Sequence, residues 1–292
     1  QRPHLQAGIF RRPAARFFAG ENWFESCAHS RVRSHRGNDM LLENKVALVT
    51  GGAMGLGEAT AIQYARQGAR VIIADVNEQA QQTATAIRAA GGEACFVPTD
   101  IASAAAVEHL MGLVREEFGR LDVLVNCAAI LLSPHVRVDQ FEEAAWDRVL
   151  EINLKGTFLC VKHAVPLMEE KGGIIFCVAS GAGISGASSS VAYSASKGGV
   201  QGLVFTLRHQ LEALNIRVHV FLPPNMGTPM RVGAVGEVAE REGRSRAAAE
   251  AAERASLPAP DDTAALLAEL ASEAGERYRD QMTLAASEFG IA

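Results

Sequence analysis

The amino-acid sequence predicts an α/β fold, a doubly wound parallel sheet with helices on both faces. From Lys45 onward, short β-branched runs alternate with helix-length segments. The runs are almost continuously apolar, as strands buried on both faces are. A glycine-rich turn, Thr50–Gly57, leads straight from the first run into the first helical segment. Right-handed crossovers between parallel strands then fix the winding.

Taken in order, the expected strands are Val46–Thr50, Arg70–Asp75, Ala94–Pro98, Val123–Asn126, Ile174–Ala179 and Arg217–Leu222. A short run near Met282–Ala285 closes the sheet. Helical patterns occupy Leu56–Gly68, Glu78–Ala90, Ala104–Phe118, Glu142–Glu170, Ala192–Leu214 and Asp261–Glu273. Residues 228–256 break the rhythm, because GRSRAAAEAAERAS combines high helix propensity with a thin apolar face. A helical lid over the strand ends is the preferred reading, and a solvated linker competes with it.

The 292 residues, 48% hydrophobic and 21% charged, suffice for one large domain over residues 40–292. A net charge of -5 gives no reason to expect nucleic acid or an acidic membrane surface as partner. No run of 18 apolar residues offers a membrane span. Cys27, Cys95, Cys127, Cys160 and Cys177 stand singly, without a CxxC pair or a histidine cluster at ligand spacing. No metal is therefore expected, most of these thiols are expected to be buried, and a reducing cytoplasm fits.

The first 39 residues are basic (Arg2, Arg11, Arg12, Arg16, Arg31, Arg33, Arg36), with Glu21 as their first acid. That composition is similar to an organellar transit peptide. It lacks clean helical amphipathicity, so an upstream translated segment or leader ahead of Met40 is favoured. The chain opens on Gln1, and this end is expected to be incomplete or processed.

Glycines in Thr50-Gly51-Gly52-Ala53-Met54-Gly55-Leu56-Gly57 permit a tight turn and let main-chain N–H groups approach a pyrophosphate. Structural turns also need glycine, so the placement between strand and helix carries this reading. Asp75 ends the second strand, 18 residues after Gly57. A carboxylate there accepts hydrogen bonds from the adenosine ribose and repels a 2′-phosphate. With Val76 next and no Lys or Arg in the turn, NAD is expected over NADP. Asp100, with Ile101 beside it, either meets the adenine edge or caps the helix beginning near Ala102.

Tyr193-Ser194-Ala195-Ser196-Lys197 places a phenol and an ammonium one helical turn apart, on one face. A nearby Lys⁺ together with a positive nicotinamide favours the phenolate, so Tyr193 is expected to have a lowered pKa and to exchange a proton with a substrate oxygen. Ser180 ends the fifth strand, at the sheet edge where ligands bind. Asn153 lies inside a long helical pattern where asparagine is a poor helix former. It marks a local distortion or a water held for proton relay.

Residues from about Leu42 to Met230 resemble a short-chain dehydrogenase/reductase. The resemblance rests on TGGAMGLG from Thr50, NCAA from Asn126, Asn153, Ser180 and YSASK from Tyr193, with the family's usual interval of thirteen between Ser180 and Tyr193. It implies a Rossmann-type sheet of seven strands and a catalytic set of Asn153, Ser180, Tyr193 and Lys197. It implies cofactor contacts at Gly51, Met54, Gly55, Leu56, Gly57, Asp75, Asp100, Ile101, Asn126, Ala128, Pro223, Met226 and Thr228, as well as Tyr193 and Lys197. It also implies that Lys197 bonds the nicotinamide ribose, and that homodimers or homotetramers form through Glu142–Glu170 and Ala192–Leu214.

Three departures stand out. Asn126-Cys127-Ala128-Ala129 replaces the commoner Asn-Asn-Ala-Gly, with Asn126 retained. Pro223-Pro224 replaces Pro-Gly just before Asn225–Thr228, and Pro224 removes an N–H. The C-terminal run Gln281–Gly290 lacks Asp-Gly-Gly.

The expected activity is hydride transfer between NAD(H) and a secondary alcohol or ketone, 3-oxoacyl reductase-like substrates included. Leu131, Leu132 and residues 228–256 shape an apolar pocket for a neutral small molecule. The alternative is a nucleotide-binding sensor or scaffold with little turnover, motivated by Pro224 and the altered C-terminus. A retired site has no physical need for all four catalytic groups.

Overall fold

The computed structural model describes residues 40–185 and 190–291, so the basic N-terminal segment lies outside the described residues. The chain runs β1 (Val46–Thr50), α1 (Gly55–Arg66), β2 (Arg70–Asp75), α2 (Ala80–Ala89), β3 (Glu93–Pro98), α3 (Ala104–Phe118) and β4 (Val123–Asn126). It continues through α4 (Glu143–Leu150), α5 (Thr157–Met168), β5 (Gly173–Val178), α6 (Ala182–Ser185), α7 (Val191–Leu211) and β6 (Ile216–Leu222). The last elements are α8 (Pro229–Arg241), α9 (Arg246–Ser256), α10 (Asp261–Ala271) and β7 (Thr283–Ala285).

The seven strands form one parallel sheet in the order β3-β2-β1-β4-β5-β6-β7. Strand alternation divides each apolar run between two cores. Ala47, Val49, Ile73, Val125 and Phe176 face α1 and α10, where Tyr64 donates to the Leu267 carbonyl at 3.1 Å. Leu48, Ile72, Leu124 and Ile175 face α3, α5 and α7. Both layers exclude water, which is why the strands carry no polar alternation. From β1 the winding departs to β2 on one side and β4 on the other, so a crevice opens beyond their C-terminal ends.

One expectation is corrected, and two alternatives left open by the sequence are narrowed. The single helical pattern Glu142–Glu170 is two helices, α4 and α5, joined by a π-helical turn over Glu151–Gly156. Asn153 sits in that turn, the local distortion its sequence position suggests. Residues 228–256 are not a linker. Thr228 and Ser245 cap α8 and α9, and Arg231–Glu253 (2.7 Å) and Arg246–Glu240 (3.3 Å) join the two helices. Gly236 leaves room for Glu250, whose Oε1 lies 2.4 Å from where a Cβ would stand. Caps and ion pairs thus supply what the thin apolar face lacks, although α9 buries no residue. Finally, α3 starts at Ala104 and its cap is Ser103, which accepts the Ala106 N–H at 3.3 Å. Asp100 is not the cap.

Among the described residues, no helix is long and apolar enough to cross a membrane.

Candidate active site

The glycine turn is set by close main-chain approach. Gly51 adopts φ 71°, and a Cβ there would stand 2.7 Å from the Ala128 backbone. A Cβ on Gly57 would stand 2.1 Å from the Gly51 carbonyl oxygen, so α1 can begin against the turn only with glycine. Asp75 braces the turn from β2. Its Oδ2 accepts the Ala53 N–H and its Oδ1 the Asn77 N–H, both at 2.9 Å. Thr50 Oγ1 accepts the Ala128 N–H at 3.2 Å, which ties β1 to the loop after β4. Leu56 and Gly57 are buried beneath the turn and Met54 is exposed.

Asn126 closes the other side of the crevice. Its Nδ2 donates to Cys177 Sγ at 3.8 Å, while its Oδ1 is buried without a partner. Cys127 follows, its thiol pushed up to about 12 by burial against the opposing pull of Lys197, which leaves it protonated. It is only partly buried by surface, whereas Cys95, Cys160 and Cys177 are fully buried.

The remaining cofactor candidates are more dispersed. Asp100 Oδ1 accepts the Ala102 N–H at 3.0 Å, and its other oxygen lies 3.7 Å from Arg148. Ile101 is buried against Gly156 of the π-turn. Pro223 and Pro224 lead out of β6 as partly buried, irregular backbone, and Met226 re-enters the core. Thr228 reaches the first turn of α1, 3.4 Å from where a Cβ on Gly55 would stand.

The catalytic candidates converge on the start of α7. Ser190 caps this helix and accepts the Tyr193 N–H at 3.5 Å. Lys197, one turn on, is buried and donates from Nζ to the Val178 carbonyl at 2.7 Å. The ammonium stands 5.6 Å from the Tyr193 ring centroid. Ser180 lies two residues beyond β5 rather than at its end, accepts the Ala182 N–H at 3.2 Å, and its hydroxyl acts on the Tyr193 phenol to lower its pKa. The short α6 rests directly on α7, since a Cβ on Gly183 would stand 2.5 Å from Gly198 N.

The electrostatics bear on one expectation. Burial holds the Tyr193 phenol above its ordinary pKa, and the Ser180 hydroxyl only partly offsets this. Burial also lowers the Lys197 ammonium to about 8, against the pull of Cys127 and Cys177. The chain's own groups therefore keep Tyr193 protonated, and the lowering expected from Lys197 together with a positive nicotinamide would have to overcome this burial. Desolvation outweighs a cation that is itself desolvated.

Asn153 does not point at Tyr193. Its Oδ1 accepts the Ile130 N–H at 2.8 Å, and its Nδ2 donates to the Ile130 carbonyl at 2.9 Å and to Ser196 Oγ at 3.1 Å. Ser196 Oγ donates in turn to the Tyr193 carbonyl at 2.8 Å. A chain of hydrogen bonds thus runs from the loop after β4, through the π-turn, to the turn that carries Tyr193. Ser196 is a positioning residue that sequence reasoning missed. The signal was available: a weak helix former inside α7, three residues from Tyr193.

A crevice at the switch of a parallel sheet, a glycine turn against a helix, and Ser180, Tyr193 and Lys197 beside it find a direct counterpart among known proteins. Residues 45–237 match the family described as short chain dehydrogenase. The chain belongs to that family. Its members bind a nicotinamide cofactor, typically act on small molecules, and are oxidoreductases, as this chain is.

Family relatives share much of the chain. The cis-4-hydroxycyclohexanecarboxylate dehydrogenase of Sinomonas cyclohexanicum is 40% identical over 231 residues, covering 79% of this chain and 90% of that protein. Tropinone reductase-like 2 of Erythroxylum coca is 39% identical over 207 residues, covering 69% and 74%. The crystal structure of levodione reductase superposes with a TM-score of 0.74 at 27% identity, over 84% of this chain and 96% of that one.

Proposed function

We propose that this dehydrogenase transfers a hydride between NAD(H) and a secondary alcohol or its ketone, with Tyr193 as general acid and base. The observation that carries this reading is the buried Lys197 ammonium 5.6 Å from the Tyr193 ring, with Ser180 acting on the same phenol. The close-packed glycine turn and the unpartnered Asn126 Oδ1 fit a dinucleotide laid over the ends of β1 and β4. Gly51, Gly55, Gly57, Asn126, Ala128 and Thr228 would hold it, and Asp75 favours NAD over NADP at the ribose. Bound nicotinamide supplies or accepts the hydride.

In the oxidising direction Tyr193 must first release its own proton to solvent, a loss that Lys197 and the positive charge of bound NAD⁺ would favour; its phenolate would then take the proton of the hydroxyl held by Ser180 as the carbon loses hydride. In the reducing direction Tyr193 returns the proton to the carbonyl oxygen. Lys197 holds positive charge beside the ring and stabilises the negative charge that develops on the phenol oxygen when its proton leaves. Asn153 and Ser196 act through position, fixing the turn that aims the phenol. The relative named cis-4-hydroxycyclohexanecarboxylate dehydrogenase is named for a hydroxyl on a cyclohexane ring, which supports an alicyclic secondary alcohol as substrate. The named relatives also weigh against a sensor or scaffold with little turnover.

We further assign the α8–α9 hairpin as a substrate lid, a cytoplasmic location, and a homo-oligomer formed through α4, α5 and α7. Phe158 and Phe205, each 43% exposed, support that interface, with the hollow lined by Leu150, Leu154 and Leu203.

The test is reduction of NAD⁺ at 340 nm across a panel of cyclic and acyclic secondary alcohols. Tyr193→Phe is expected to lower kcat by about 10²–10⁴-fold with little change in NAD⁺ affinity. Substantial turnover in that variant, or preference for NADP, would overturn the corresponding assignment.

A further inference from the structure

The loop after β4 is gripped at alternate residues. Asn153 binds both main-chain groups of Ile130, Ser190 Oγ donates to the Leu132 carbonyl at 2.8 Å, and Arg241 Nη2 donates to the Pro134 carbonyl. Three side chains from three elements do what a neighbouring strand would otherwise do, satisfying main-chain groups along an extended path. Asn153 and Ser190 belong to the frame around Tyr193. Arg241 does not: it ends α8, on the hairpin.

We propose that Arg241 is the latch of the lid, a specificity-determining residue that ties α8–α9 to the 130–134 wall and sets how tightly substrate is held. It touches no reacting atom. The proposal rests on the dehydrogenase reading above only for its kinetic consequence.

The hairpin is built as a lever. Its base closes where the Gly227 N–H donates to the Pro258 carbonyl at 2.9 Å. Arg241 lies at the opposite end of α8, roughly 18 Å along the helix at 1.5 Å per residue. Between base and tip, α8 buries Val232, Gly236 and Ala239, and α9 buries nothing. Glu237, one turn earlier, stands 3.6 Å from the Arg241 guanidinium and orients it. The wall is distinctive at the point of contact. Ser133 (φ 51°) and His135 (φ 56°) flank Pro134 in left-handed backbone that side chains seldom adopt, and Pro134 itself is buried. A charge-assisted bond therefore seizes an unfavourable piece of backbone and holds it against the lid.

Two measurements on the full chain test this. Amide hydrogen exchange of the purified protein should be about tenfold faster across α8 and α9 in Arg241→Met, which keeps the aliphatic stem, with α7 and residues 151–157 unchanged. Arg241→Lys, which keeps a charged donor, should fall between. Glu237→Gln should move exchange the same way by less, and serves if Arg241→Met folds poorly. In steady-state assays Arg241→Met should raise KM for the alcohol or ketone about tenfold, with kcat within about twofold and NAD affinity unchanged. Unchanged hairpin exchange in Arg241→Met, or a fall in kcat at constant KM, overturns the latch. If the wild-type protein turns over no alcohol or ketone, the dehydrogenase reading fails, and the exchange result still decides the latch.

Discussion

The two walls of the crevice are made of different material. On the proposed cofactor side, main chain approaches main chain at distances that leave no room for a Cβ at Gly51 or Gly57, with Asp75 and Thr50 as side-chain braces. On the substrate side, the loop after β4 and the α8–α9 hairpin are held by side chains: Asn153, Ser190 and Arg241 on the loop, Arg231 and Glu253 within the hairpin. The first wall is shaped by packing that every member of the sheet depends on. The second is shaped by individual polar contacts that can be exchanged without disturbing the core. On the proposed function, one wall would keep a shared ligand and the other would be free to vary with the substrate.

That contrast breaks most sharply at Gly57. Gly57→Ala must displace either α1 or the Gly51 carbonyl, so NAD binding followed by fluorescence is expected to weaken more than about 100-fold, with a lowered melting temperature. Retained binding would mean that the turn is not limited by backbone contact.

Next is acid sensitivity of the sheet itself. His219 on β6 is buried, with Nδ1 2.7 Å from the Gln281 carbonyl and Nε2 unpartnered. Burial lowers its pKa from 6.5 to about 4. Between these values the unfolded chain binds the proton that the folded chain refuses. Stability should therefore hold above pH 6.5 and decline by about 3 kcal/mol as pH falls through 4. Urea unfolding at stepped pH checks this, and His219→Gln should flatten the decline.

A smaller effect is expected where the walls meet. Ser196→Ala removes the link between Asn153 and the Tyr193 carbonyl, and should lower kcat about tenfold with NAD affinity unchanged. Ser196→Thr, which restores a hydroxyl, should recover part of the loss. Equal falls in cofactor affinity and turnover would point to general unfolding of the turn instead. The smallest effect belongs to the hairpin's surface. Arg231→Met breaks an ion pair with Glu253 that is exposed on the arginine side, and should change global stability by less than about 1 kcal/mol in thermal unfolding.

The same division explains what could be read from the sequence. Each of the strands was legible to within one or two residues, because burial on both faces leaves continuous apolar runs that solvent-facing segments do not imitate. The glycine turn, Asp75 and the Ser180–Tyr193–Lys197 set were legible because their spacing is fixed by that sheet. The split of Glu142–Glu170 was visible only as the out-of-place Asn153, since the residues on either side of the turn are all helix-compatible and six residues are too few to establish a new period. Ser196 was visible only as a weak helix former inside α7, and Arg241 was not legible at all, for it binds a main-chain carbonyl, which no side-chain pattern advertises. The upward push of burial on the Tyr193 phenol was not legible for a related reason: spacing reveals a neighbouring charge but not how far both groups are withdrawn from water.

The π-turn makes chain length itself part of the chemistry. A π-helical turn takes up more residues than an α-helical one, so α4 and α5 are out of phase, offset by roughly the 100° that one residue turns. Removing any residue from 151–156 would let the two helices run together as one, swing the face of α5 by that angle, and withdraw Asn153 from Ile130 and Ser196. Substitutions here alter one contact each. A deletion would alter the count on which all of them depend, and the aim of the Tyr193 phenol with it.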